Sequence, residues 1–156
     1  MYPISDEIIK KAEDILGVKL PLSYIALIKE KNGGELNYPY FMLPDGQKER
    51  ISYIEGICLD PNDGRSIMSS KELLKEAQLP QEFFVLWDDF HHWLVLDYRS
   101  TKSNPPILYI RENYSTEEIT WEFIEIASSF DDFLNKLFRL PPLDPKKLKP
   151  SYGRKK

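Results

Sequence analysis

The chain predicts an α+β domain. Helical periodicity is confined to the two ends and one short insertion, and strand-forming runs fill the middle. The runs are joined by loops too short for crossover connections, so the sheet should be mostly antiparallel. The expectation is a sheet of about five to six strands, with two N-terminal helices, a short inserted helix and one C-terminal helix. At 156 residues, 42% hydrophobic and 13% aromatic, one such domain can bury a real core.

Ser5 is placed to cap a first helix whose opening turn carries Asp6 and Glu7. Ile8, Ala12, Ile15 and Leu16 give that helix an apolar face, and Gly17 ends it. Pro21 suits the first position of a second helix, because a missing N–H costs nothing there. Leu20, Tyr24, Leu27 and Ile28 follow helical spacing, and Asn32-Gly33 supplies a left-handed stop. The run 35–43 then reads as a strand interrupted by Pro39, and Pro44-Asp45-Gly46 as a turn. Residues 51–59 read as strand again, and Asp60-Pro61-Asn62-Asp63-Gly64 as a tight loop. Ser69 or Ser70 should cap a short helix through about Gln78, with Leu73, Leu74 and Ala77 facing inward. Phe83–Trp87 and His92–Tyr98 form a hairpin about Asp88-Asp89-Phe90-His91. Ile107–Arg111 and Ile119–Ile126 complete the sheet. Ser128 or Ser129 caps the last helix, buried through Phe130, Phe133, Leu134, Leu137 and Phe138. The domain is expected over 1–140, and the Pro- and Lys-rich residues 141–156 as a mobile tail or loosely docked strap.

Charge is unevenly distributed. Residues 139–156 hold seven Lys or Arg against one Asp, a net +6, which leaves −10 on 1–138 from the total of −4. An acidic body suits a basic partner better than a nucleic acid. The N-terminus lacks the basic and apolar regions of a signal peptide, and no apolar run reaches the ~18–20 residues of a membrane helix. The single cysteine, Cys58, cannot form an internal disulfide. These features lead to the expectation of a reduced, cytoplasmic protein without membrane attachment.

The densest polar cluster is Asp88, Asp89, His91, His92 and Trp93, with Asp97 downstream. Carboxylates beside histidines are metal ligands in principle. The two histidines are adjacent, however, so in a strand their rings would point to opposite faces. Asp60–Gly64 has its glycine one position too early for an EF-hand. Gly33-Gly34 stands outside any phosphate-loop pattern. The aromatics are not interleaved with Arg or Lys, which disfavours base stacking.

The segment Leu20-Pro21-Leu22-Ser23-Tyr24 through Asn32-Gly33-Gly34 resembles the helix–NGG signature of the SUKH superfamily. Gly56-Ile57-Cys58-Leu59-Asp60-Pro61, Leu79-Pro80, His91–Arg99, Pro106–Ile110 and Ile126–Leu134 resemble its later motifs, in order, over about residues 5–138. That group includes bacterial immunity proteins against polymorphic toxins and fungal cell-wall assembly regulators. The resemblance implies an α+β domain with a bent sheet and flanking helices, no enzyme activity, no catalytic residue and no cofactor, and the residues themselves lead to the expectation of no metal. It implies a cognate toxin as partner, frequently a nuclease, and a nuclease must be basic to hold phosphate. A regulatory or scaffolding domain is the alternative, and a metal-dependent enzyme using His91 or His92 a distant third. Candidate partner contacts are Tyr38, Tyr40, Asp88, Asp89, His91, Trp93 and Asp97, where aromatics lie near carboxylates.

Overall fold

A computed structural model describes residues 4–113, 118 and 120–140. Ile119 and the expected tail over 141–156 lie outside the described residues. The element order is α1 (Asp6–Leu16), α2 (Leu22–Glu30), β1 (Tyr40–Met42), β2 (Lys48–Arg50), α3 (Ser70–Ala77), β3 (Phe83–Asp88), β4 (His92–Asp97), β5 (Ile107–Asn113), β6 (Thr120–Ala127) and α4 (Phe130–Lys136). The α+β expectation holds: the six strands form a β1–β2 ribbon and a β3–β4–β5–β6 sheet, all antiparallel.

Helix α1 is bounded as its sequence dictates. The Ser5 hydroxyl accepts from the Ile8 amide at 3.3 Å, and Gly17 leaves the helix at φ +75°. Its buried stripe runs through Ile9 and Ala12. Ile15, expected on the apolar face, is 66% exposed, because it sits roughly 120° around the helix from Ile9. Pro21 precedes α2 rather than opening it: its ψ of 138° is extended, while its carbonyl already accepts from Ile25 at 3.0 Å. Tyr24 and Ile28 bury the helix.

The expected strand over 51–59 does not form. Only Tyr53 makes a bridge, to Glu35. The segment spends its backbone groups on scattered partners instead: Ile54 N–H on Gly34 O at 3.1 Å, and Glu55 N–H on Leu86 O at 2.7 Å. Ile57 binds the Asn32 side chain through both its N–H and its C=O, at 2.8 and 2.9 Å. The segment therefore lies along β3, an outer strand of the sheet, and occupies part of its open edge. The returning strand of the ribbon is Lys48–Arg50, after a turn closed by Gly46 at φ +89°.

The larger sheet is buried on both faces over β3, β4 and the first half of β5. One face sends Phe84, Leu86, Leu94, Leu96, Ile107 and Tyr109 into a core shared with α1, α2, α4 and β1. The other packs Phe83, Val85, Trp93, Val95, Leu108 and Ile110 against Leu74 of α3 and Leu79. Two-sided burial explains why β3 and β4 read as nearly continuous apolar runs. Helix α3 is stapled to β3 by Ser70, whose hydroxyl donates to Ile67 O at 2.6 Å and accepts from Val85 N–H at 2.7 Å. Ser69 stands at the helix start without a side-chain cap bond.

Candidate partner-binding surface

The β3–β4 turn gathers most of the polar chemistry. Asp88 ends β3; one carboxylate oxygen accepts from the Phe90 amide at 3.0 Å and the other pairs with Arg65. Arg65 also holds Glu55 at 3.0 Å, so one guanidinium bridges two buried carboxylates. Burial raises the Glu55 carboxyl above its ordinary value, and Arg65 pulls it back. Asp89 accepts from the amides of His91 and His92 at 3.0 and 2.6 Å. Two carboxylates thus fix successive amides of one turn.

The histidine rings go to opposite faces. His91 Nδ1 lies 3.1 Å from Glu112, on the α3 side. His92 Nδ1 lies 3.1 Å from Asp89, and its ring stacks 6.0 Å from Tyr109. The β1–β2 ribbon comes up to the same end of the sheet. Tyr109 donates its hydroxyl to Glu49 at 3.1 Å, and Arg111 reaches Asp45 at 3.9 Å and Glu122 at 2.9 Å. Burial first, then the Glu49 charge, raises the Tyr109 phenol far above its usual range. Among the described residues no group of three or more His, Cys, Asp and Glu is placed to hold a metal ion.

Of the residues predicted as contacts, Asp88, Asp89 and His91 meet at this turn. Trp93 stands with them but is fully buried, against Phe90 at 5.8 Å and Trp121 at 6.4 Å between ring centroids, so it supports the surface rather than presenting itself. Asp88 is likewise buried. Asp97 closes the far end of β4, roughly 17 Å away along the strand, and is buried in a paired contact with Arg99 at 2.9 and 3.0 Å. Tyr38 is 52% exposed with the Arg139 guanidinium 4.7 Å from its ring centre. Tyr40 is half-buried, and its backbone exchanges two hydrogen bonds with Phe138. Both tyrosines lie at the end of the ribbon opposite Asp45. Sequence reasoning missed Phe90, Glu55 and Arg65. Glu55 carried a signal, a lone charge within an apolar run that must find a partner. Arg65 carried none.

An antiparallel sheet clad in helices, with its polar network at a surface turn, defines an α+β domain built around the join between α2 and Asn32-Gly33-Gly34. Residues 6–134 match the family model described as SMI1-KNR4 cell-wall, and the chain belongs to the SUKH superfamily. No curated protein and no solved structure matches it. The superfamily includes immunity proteins and SMI1-KNR4-like regulators, is generally non-catalytic, and its members typically bind partner proteins. No helix among the described residues is long and apolar enough to cross a membrane.

Proposed function

We propose that this chain is a cytoplasmic immunity protein that binds and neutralises a cognate polymorphic toxin, a basic nuclease, by surface complementarity. The family supplies the class of function. The observation that carries the choice within it is the net −10 on residues 1–138, which steers a basic partner and repels nucleic acid. No reaction is assigned to the chain, and grip alone blocks the toxin. Co-expression with the toxin encoded beside it tests the reading. Cells carrying both should survive, and equal killing with and without this chain overturns it.

The second reading is a regulatory or scaffolding domain, favoured by the cell-wall description of the matched family. Deleting the gene separates the two. Altered envelope growth in cells without any adjacent toxin gene selects the regulator.

A further inference from the structure

Phe90 is bulky where the two-residue β3–β4 turn, closed by the Asp89 N–H on His92 O, calls for glycine. Its φ is +73°, in the left-handed region where a bulky side chain is strained and glycine is cheap. Of the other described non-glycine residues with positive φ, Gln78 ends α3, and Asn104 belongs to a type that tolerates the conformation. Phe90 ends no helix. It sits at the tip of the β3–β4 turn, 45% exposed. Its backbone is held from below by Asp88, itself fixed by Arg65, and the next two amides by Asp89. The ring leans on Trp93, which is fully buried beneath it. Beside Phe90 in the turn stands Asp89, and Glu112 lies across on β5 against His91. Arg65, beneath the turn, is committed to two carboxylates, Glu55 and Asp88.

We propose that the β3–β4 turn is the centre of the partner interface, with Phe90 its apolar anchor, entering a pocket that the partner rims with lysines and arginines. This rests on the partner-binding reading above. A rigid, exposed aromatic beside carboxylates, on a body of net −10, is the form of an interface hot spot for a basic protein. The hydrogen-bonded turn reduces what ordering would cost on association. The carboxylates also exclude a phosphate-bearing occupant.

The test uses the full chain and the purified domain of the adjacent gene's toxin, with affinity and thermal midpoint measured together. Phe90→Gly removes the ring and relieves the backbone. The expected result is an affinity loss of roughly 30-fold or more with an unchanged or higher midpoint. Phe90→Asn, which also tolerates the left-handed conformation, should lose affinity similarly. Wild-type binding with both variants within threefold overturns the inference and leaves the functional reading standing. No binding by the wild type overturns that reading and the inference with it. A lowered midpoint in both variants makes Phe90 a packing residue for Trp93 and overturns it. A wild-type dimer that Phe90→Gly converts to monomer, at unchanged toxin affinity, assigns the patch to a second copy of this chain and also overturns it.

Discussion

Asn32 replaces a strand partner with a side chain. Its amide gives Ile57 one donor and one acceptor, the same two-bond exchange that a hydrogen-bonded antiparallel pair makes. The close approach explains Gly56. A Cβ there would stand 2.0 Å from Asn32 Oδ1 and 2.5 Å from the Gly33 amide nitrogen, and backbone cannot move aside as a flexible side chain can. Gly56→Ala should therefore cost about 2–4 kcal/mol of stability, read as a shifted urea midpoint at constant slope. A loss below about 0.5 kcal/mol would refute the crowding. Glu55, one residue earlier, adds a pH dependence. Its folded carboxyl titrates above the ordinary value, chiefly from burial. The folded state therefore binds its proton more tightly than the unfolded chain does. Stability from this group is full below the unfolded value of about 4.5 and is lost as pH rises through the higher folded value. Glu55→Gln should flatten the stability-against-pH curve in that window. An unchanged slope would show that another group sets it.

Among the elements, the inserted helix is packed on the sheet through Leu74 and hydrogen-bonded to β3 by one hydroxyl. Ser70→Ala leaves the Val85 N–H buried on β3 without its acceptor and should cost about 1–3 kcal/mol. Ser69→Ala should cost less, because Ser69 makes no cap bond to α3 and its hydroxyl accepts only a long bond, 3.4 Å, from the Ser66 amide. Equal losses in the two variants would mean that the helix start, not the staple, carries the energy. The same contrast explains what could be read in advance. Ser5, Gly17 and Ser129 act on groups within four residues, so their roles are written locally. The extended segment over 51–59 has strand-like composition, but its partners include an amide side chain 25 residues away and single carbonyls of the loop after α2 and of β3. No window of sequence contains them. The candidate surface divides likewise. Asp88, Asp89 and His91 share a turn and were legible. Asp97 was separated from them by the length of a strand, and Trp93 by burial, both consequences of tertiary packing.

On the scale of the whole molecule, charge governs how fast a partner arrives more than how tightly it stays. The −10 of residues 1–138 acts over about 10 Å at ~0.1 M salt and over only about 3 Å at ~1 M. For the basic toxin proposed here, the association rate should fall about tenfold or more across that range. The dissociation rate should change far less, because a desolvated Phe90 contact is weakly screened. Residues 141–156 oppose this steering, since every Lys or Arg there adds positive charge against the single Asp144. Removing them makes the chain more acidic, so association at low salt should quicken and its salt dependence steepen. Stopped-flow measurements on the full and shortened chains, with the same toxin domain, decide the matter. Were the shortened chain to associate more slowly, the tail would be a contact in its own right, and long-range attraction by the acidic body would no longer account for the rate.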